Sequence, residues 1–488
     1  MLISALIFWP LLAAMVLLVL HKKHARNVAV AAAIIELILT LVVAIRFQPD
    51  ASFQFAVDLP WIVSQGIRFY VAIDGISLLM VLLTTGLMPF ILMASAVRWE
   101  RPASFYALIL IMEAALVGVF TALDGFLFYV FWEMALVPIY IICLRWGGEN
   151  RAAITLKFFV YTLAGSLLML VALIFVYFST PAPHSFDIKA LYSAAQQLPA
   201  GQQGWIFWAM FIAFAIKMPL FPFHTWQPDT YDAAPSQGAM LLSGIMLKMG
   251  IFGLIRWLIP MVPQGVHDWG LTAIILSVTG VVYASCIAIV QKDLKRLIAY
   301  SSIAHVGLIA AGIFTLDRIG VQGAMVQMIS HGIVIVALFF IVDIILARTN
   351  TQEMARLGGI RDLAPQLATV FTIVILGSIA LPLTSGFVGE FMLINSIFGY
   401  DRVLGAFSGL TMILGAVYML RGFQFTMLGA QGSAASGFAD LRNIEKLVLY
   451  PLVILILVIG VYPAPLLRIS EAAVNDVLSI LTQYHTLR

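Results

Sequence analysis

Long apolar runs, separated by short polar connections, dominate the chain from one end to the other. A hydrocarbon core about 30 Å thick requires about 20 apolar residues per helix, so each run predicts one membrane-spanning helix. The fold expected is therefore an all-α polytopic membrane protein with about fourteen transmembrane helices. The spans lie near residues 2–20, 28–46, 73–97, 104–122, 124–144, 154–178, 205–222, 241–259, 271–290, 296–315, 322–346, 367–398, 403–428 and 447–468.

Composition agrees with this pattern. Of the 488 residues, 62% are hydrophobic and 10% are charged, whereas a soluble domain has about 45–50% apolar and about 25% charged residues. A net charge of +3 gives no indication of nucleic-acid binding. Cys143 and Cys286 lie far apart in apolar runs, so they predict neither a disulfide framework nor an iron–sulfur ligand set.

The distribution of Lys and Arg predicts the orientation. Fifteen follow odd-numbered spans and eight lie on the other side, so the positive-inside rule places both termini on the periplasmic side. The first span lacks a small-residue cleavage site and is expected to be part of the structure rather than a signal peptide. The fifteen are Lys22, Lys23, Arg26, Arg98, Arg101, Arg145, Arg151, Lys292, Lys295, Arg296, Arg348, Arg356, Arg361, Arg442 and Lys446; the eight are Arg46, Arg68, Lys189, Arg256, Arg318, Arg402, Arg468 and Arg488.

Ionisable residues interrupt several apolar spans. Glu133, Lys217 and Lys248 lie deep within theirs, where a charge costs at least about 2.5–3.5 kcal/mol on insertion scales. Such residues generally mark an ion or proton pathway. Apolar residues similarly surround Glu113, His305, His331 and Glu390.

Structural roles are the alternative for some of these groups. His305 and His331 also fit core histidines that bond to a backbone carbonyl. Lys157 and Arg421, near predicted span ends, equally fit side chains that bury an apolar stem while the charged head reaches water.

Two spans contain helix-breaking sequences, KMPLFPFHTW at 217–226 and LPLTSGFVGEF at 381–391. Proline removes a backbone donor and disrupts a helix. A pair of broken membrane helices is typical of inverted repeats with a polar site at the midplane. Irregular backbone at that depth must be buried in protein or line a water-filled cavity, so internal water is expected near both breaks.

Residue spacing also suggests an internal duplication. Glu133 and Lys217 are 84 residues apart, and His305 and Glu390 are 85 apart. A shift of 172–173 positions carries the first pair onto the second. The division expected is N-terminal helices in 1–103, a first repeat in 104–260, a second in 261–430 and a C-terminal helix with its tail in 431–488.

The chemistry of these groups suits proton transfer. Burial disfavours the charged form of Lys217 and a nearby Glu133 carboxylate favours it, so moving the carboxylate would switch the lysine between holding and releasing a proton. The groups expected to pass that proton onward through water are Lys248, His305, His331 and Glu390. The sequence has no phosphate-binding or dinucleotide motif, so the energy is expected to come from another subunit.

Six stretches resemble the M-type antiporter-like membrane subunits of respiratory complex I. They are 131–138 (FWEMALVP), 148–151 (GENR), 157–166 (KFFVYTLAGS), 293–302 (DLKRLIAYSS), 330–332 (SHG) and 387–391 (FVGEF). The resemblance extends from about Asp74 to Tyr462.

The resemblance implies fourteen helices, two inverted five-helix repeats and broken helices seven and twelve. It implies proton translocation driven by electron transfer from NADH to quinone, with no cofactor in this chain and with the NADH, FMN, iron–sulfur and quinone sites in partner subunits. The L-type and N-type subunits would lie on either side. The site residues it implies are Glu133 and Lys217 as the modulating pair, Lys248 as the central relay, His305 and His331 on the connecting axis, and Glu390 on the exit side.

Details separate this chain from neighbouring families and from the usual pattern. Glu390 favours the M type over N-type subunits and sodium/proton antiporters, which usually have Lys there. The short tail after the last span argues against the L type. Tyr231 occupies the position of a usual His, Leu383 that of a frequent Gly, and the surroundings of Arg421 are atypical.

The alternatives are a subunit of a multi-subunit Na⁺/H⁺ antiporter, the membrane arm of a related hydrogenase, and a scaffold in which every buried charge is paired. Glu390 and the 148–151 motif argue against the antiporter. Composition and the absence of a transit peptide favour the inner membrane of a bacterium over an organelle.

Overall fold

A computed structural model describes residues 2–19, 24–94 and 102–486 of the chain. Within these ranges, twelve helices are long and apolar enough to cross a membrane, which confirms the helical membrane fold. The charge-bias prediction also used Lys22, Lys23, Arg98, Arg101 and Arg488, which lie outside the described residues.

Six long helices form the first part of the chain. Aspartates begin several of them: the Asp74 carboxylate accepts a hydrogen bond from the Ser77 amide, and that of Asp124 accepts from Phe126 and Leu127. Such caps satisfy amide donors that a helix start leaves unpaired. The helices are α1 (Leu2–Val19), α2 (Ala25–Arg46), α3 (Gly75–Met93), α4 (Pro102–Thr121), α5 (Gly125–Trp146) and α6 (Arg151–Ser179).

A β-hairpin joins α2 to α3, which the pattern of long apolar runs did not predict. Strand β1 (Gln54–Ile62) pairs antiparallel with β2 (Ile67–Ile73). Gly66 lies in the connection with φ of 62°, a backbone conformation that glycine adopts without steric strain. Strands of nine and seven residues fall below the length of a helical span, so a search for such spans misses them.

The first predicted interruption is present. After α7 (Ile188–Gln196), helix α8 (Ala200–Lys217) ends at Lys217, and α9 (Gln227–Ala233) begins after the irregular residues 218–226. The predicted span 205–222 was therefore wrong at its end, because Pro219 and Pro222 lie in the irregular stretch. The segment between α6 and α8 contains the short helix α7.

A fully buried helical run, Ser236–Met261, follows the break. It consists of α10 (Ser236–Leu241), α11 (Leu247–Gly253) and α12 (Ile259–Met261), joined by the π-helical turns Leu242–Met246 and Leu254–Leu258. A helix that is apolar on every side belongs in a protein core, and this run lies against α15 and α8.

The remaining helices complete the bundle. Helices α14 and α15 are buried along almost their whole length and, with the run at 236–261, form the centre of the molecule. The ranges are α13 (Pro263–Val290), α14 (Leu294–Phe314), α15 (Arg318–Thr349), α16 (Ile360–Leu363), α17 (Pro365–Ser378), α18 (Ser385–Tyr400), α19 (Arg402–Met427), α20 (Asn443–Val461) and α21 (Ala464–Thr486).

The second interruption divides the predicted span 367–398 into α17 and α18, with residues 379–384 between them. Leu383 has φ of 72° there, a left-handed conformation that favours glycine. The shift of 172–173 residues does not superimpose the two breaks: Lys217 precedes the first, whereas Glu390 follows the second. The predicted last span, 447–468, was also too long, since α20 ends at Val461 and α21 begins at Ala464.

Candidate functional site

Lys248 lies at the centre of the molecule, fully buried on α11. Its ammonium Nζ donates to the Ser243 carbonyl at 2.7 Å and is 2.9 Å from His331 Nδ1. In the π-helical turn the Leu247 amide bonds to Leu242, five residues earlier, and not to Ser243 as in an α-helix. The Lys248 ammonium thus reaches back to a carbonyl within this π-helical turn.

His331, on α15, is the hydrogen-bond partner of the Lys248 ammonium. An ammonium has no lone pair, so a hydrogen bond from protonated Lys248 requires Nδ1 to accept and places the imidazole proton on Nε2. The ring centroid of His331 is 5.8 Å from that of His305 on α14. The structure therefore brings the two predicted histidines together, and neither forms a hydrogen bond to a backbone carbonyl of the described residues.

Glu390, in the first turns of α18, extends the cluster. Its Oε1 is 2.9 Å from His305 Nδ1, although the angle between the two groups is not that of a hydrogen bond. The same oxygen accepts a hydrogen bond from Gln327 Nε2 at 3.2 Å. The neighbouring Gly389 permits this arrangement, because a Cβ atom there would be 2.5 Å from Gln327 Oε1. Lys248, His331, His305 and Glu390 thus form one buried series, called here the relay cluster.

A cavity of about 10 Å³ lies beside the two histidines. This is about the space that one water molecule requires. Its polar lining is Ser301, His305, Gln327, Ser330 and His331. Within the described ranges, His331 Nε2 and the Ser301 hydroxyl have no hydrogen-bond partner, so a water molecule in the cavity would find both a donor and an acceptor.

The other predicted pair is arranged differently. Lys217 is the last residue of α8, and its Nζ lies 5.3 Å from the centroid of the Trp132 ring. A helix C-terminus and an aromatic face both stabilise a cation. Glu133, on α5, is half-buried, and its Oε1 has no hydrogen-bond partner among the residues described. Among the described residues, Glu133 and Lys217 form no ion pair within 4.0 Å.

Close packing joins the two groups of residues. A Cβ atom at Gly250 would lie 2.7 Å from the Phe214 carbonyl, and one at Gly253 would lie 2.5 Å from the Phe214 ring. Only glycine lets α8 and α11 approach so closely. Lys217 and Lys248 therefore lie on directly packed helices, three residues after Phe214 and two before Gly250 respectively.

Lys157 and Arg421 lie outside the relay cluster. Lys157 Nζ donates to the Thr225 carbonyl at 2.8 Å and contacts Asp229 at 3.2 Å, with 41% of the side chain exposed. Arg421 donates to the Gln291 carbonyl at 2.8 Å. Both contacts lie near helix ends, and the first joins α6 to the loop of the first break.

Sequence reasoning missed Gln327 and Trp132. Gln327 precedes His331 by four residues on α15, so its position on the same helix face was a usable signal. Trp132 gave no such signal, because its contact with Lys217 joins residues 85 positions apart. Within the described part of the chain, no group of three His, Cys, Asp or Glu side chains is placed to hold a metal ion.

Comparisons with known proteins agree with this arrangement. The sequence model described as NADH:quinone oxidoreductase/Mrp antiporter, TM, matches residues 122–430. The chain is 39% identical to NADH-quinone oxidoreductase subunit M of Rickettsia typhi, with 98% of each chain covered. It is 37% identical to the subunit M of Rhodobacter capsulatus over 99% of this chain and 97% of the other.

A solved structure has the same fold. The chain superimposes with a TM-score of 0.90 on a chain of respiratory complex I from Thermus thermophilus with bound NADH. The two are 29% identical, and the match covers 99% of this chain and 100% of the other.

Proposed function

Because the chain belongs to the NADH:quinone oxidoreductase/Mrp antiporter membrane family, we propose that it translocates protons as the M-type subunit of an NADH:quinone oxidoreductase. The observation that carries this proposal is the relay cluster. Four titratable side chains from four helices are buried there in a connected series, with 2.9 Å contacts at both ends.

The geometry suggests the order of proton transfers. Lys248 gives a proton to His331 Nδ1, and the imidazole releases its Nε2 proton toward the small cavity. A water molecule there carries it to His305, whose Nδ1 faces Glu390. Each transfer spans about one hydrogen bond or one intervening water, the reach that proton transfer requires.

Lys217 and Glu133 are suited to regulate when a proton moves through the relay cluster. The Lys217 cation is stabilised by the Trp132 ring and feels the charge of Glu133. Since the two do not touch, a small movement of α5 against α8 would change their separation and the proton affinity of Lys217. A proton on Lys217 would in turn repel one on Lys248 across the packed helices.

The energy would come from outside the chain. Moving one charge across 100 mV requires about 2.3 kcal/mol. We propose that NADH, FMN, the iron–sulfur clusters and quinone bind in partner subunits, with L-type and N-type subunits on either side. The 104–260 and 261–430 segments would be the two inverted repeats, in a bacterial inner membrane with both termini periplasmic.

Native purification tests the assembly. The chain, extracted in mild detergent, should co-purify with flavin and iron–sulfur subunits and with NADH:quinone activity. Recovery with small membrane subunits alone, together with Na⁺/H⁺ exchange, would assign it to the cation antiporters.

A matched pair of variants tests the route. In membrane vesicles, Glu133→Gln should strongly reduce NADH-driven proton uptake, whereas the exposed Glu149→Gln should leave it unchanged. A Glu133→Gln complex that assembles and pumps normally would disprove the proposed role of Glu133.

A further inference from the structure

Two more carboxyl groups are buried in the membrane region, away from the relay cluster. Glu36 on α2 and Glu113 on α4 are both 0% exposed. Helices α2 and α4 pack against each other, and the two side chains are within hydrogen-bonding reach of one another.

Neither carboxyl group has another partner. All four oxygens lack a hydrogen bond to any donor among the described residues. A buried carboxylate normally accepts several hydrogen bonds or faces a cation. Two acceptor groups in contact can bond to each other only if one of them carries a proton.

Among the residues that the structure describes, no cation is placed to neutralise the pair. Helices α1 and α3, which pack on α2, contain no ionisable side chain. Arg26 and Arg46 lie ten residues from Glu36 in either direction, about 15 Å along the helix. Lys248, on α11 beside α4, directs its ammonium to Ser243 and His331.

The hydroxyl of Thr40 is a second, independent sign of a site. Thr40 is 0% exposed and lies one helical turn from Glu36, and its Oγ1 has no hydrogen-bond partner in the described part of the chain. Other buried helical threonines, such as Thr84 and Thr121, donate to the carbonyl four residues earlier. The Thr40 hydroxyl therefore remains available on the helix face that carries Glu36.

Glu113 lies at the same depth in the helix bundle as Glu133. Glu113 lies eight residues before the end of α4 at Thr121, and Glu133 lies eight residues after the start of α5 at Gly125. Since α4 and α5 are packed consecutive helices, both carboxyls lie about 12 Å from the connecting turn.

We propose that Glu36 and Glu113 form a further proton-binding site, in which two membrane-embedded carboxyl groups share a proton beside the Thr40 hydroxyl. Two carboxylates in contact in apolar surroundings cannot both be ionised, so one remains protonated at a pH at which exposed carboxyls have lost their protons. The site shares no residue with the relay cluster, and its existence does not depend on pumping.

Infrared spectroscopy of the purified complex in lipid tests this proposal. At pH 8, the spectrum of the wild type should contain one protonated-carboxyl C=O band per chain that is missing from the spectrum of Glu36→Gln/Glu113→Gln. The difference between the two spectra isolates this band. Subtracting the spectrum of Glu149→Gln, which alters an exposed carboxyl, should show no such loss. Thr40→Val should shift the band without removing it, which also covers the case of a double variant that fails to assemble.

Two results would overturn the proposal. Absence of the band from the wild-type minus double-variant difference would mean that both carboxyls are ionised. Disappearance of the wild-type band on addition of NaCl at constant pH would mean that the oxygens bind a sodium ion in place of a proton. Neither result would bear on proton uptake through Glu133, so this proposal and the proposed function fail independently.

Discussion

The two groups of charged residues in this protein are built in opposite ways. In the relay cluster, Lys248, His331, His305 and Glu390 are buried at the centre. Contacts of 2.9 Å join Lys248 to His331 and His305 to Glu390, and a small cavity lies beside the two histidines. Around Lys217, the cation faces an aromatic ring and its expected carboxylate partner makes no direct contact with it.

The difference separates conduction from control. A proton moves between groups that lie one hydrogen bond or one intervening water apart, because each transfer needs that reach. A switch instead needs two states of different energy, and a charge pair held apart by packing provides them when a helix shifts. The relay cluster therefore suits passage of the proton, and the Glu133–Lys217 pair suits regulation of when the proton moves.

The largest effect is expected from Lys248→Met. Methionine fills a similar space but cannot hold a proton, so the link between α11 and His331 is lost. Loss of a proton-transfer group typically reduces a rate about 10²–10⁴-fold, and NADH-driven proton uptake by vesicles should fall accordingly. The control is Lys189→Met on the surface of α7; equal uptake in both variants would remove Lys248 from the route.

A smaller loss, about 10²-fold, is expected from Glu390→Gln. The amide cannot exchange a proton with His305, although Glu390 is the last group of the series and water could partly replace it. Stopped-flow measurement of proton release should show the change. Glu353→Gln, at an exposed position, serves as the comparison, and unchanged release in the Glu390 variant would place the end of the route elsewhere.

Trp132→Leu tests whether the Trp132 ring stabilises the Lys217 cation. Removing the ring takes away a cation–π interaction worth about 0.5–2 kcal/mol, so Lys217 should hold its proton less tightly. Proton uptake should change severalfold and its pH profile should move to lower pH, since deprotonation becomes easier. The half-exposed Trp61→Leu should leave the profile in place, and an unmoved profile in both variants would contradict the role of the ring.

The smallest effect is expected from Tyr231→Phe. Tyr231 is fully buried, with its ring against Phe339 and its hydroxyl near Gln227. The hydroxyl makes no hydrogen bond to the described residues, so its loss should leave both the melting temperature of the complex and proton uptake nearly unchanged. A large loss of uptake would extend the conducting cluster to this position.

The sequence alone determined the membrane fold, the two breaks and the identity of the buried charges. Apolar runs must cross a bilayer as helices because no other open structure satisfies the backbone there, and proline marks breaks through its own covalent geometry. Lys248, His305, His331 and Glu390 stood out because an ionisable group in an apolar span is expensive.

Tertiary structure alone decided which of these charges meet. Lys248 and His331 are 83 residues apart in the chain and 2.9 Å apart in space, while Lys217 lies by Trp132 rather than against Glu133. Such neighbours depend on how glycines such as Gly250 and Gly389 let helices approach. The packing of α2 against α4 likewise brings Glu36 to Glu113. Helix periodicity assigns a residue to a face of its own helix, but only the packing of helices selects what that face contacts.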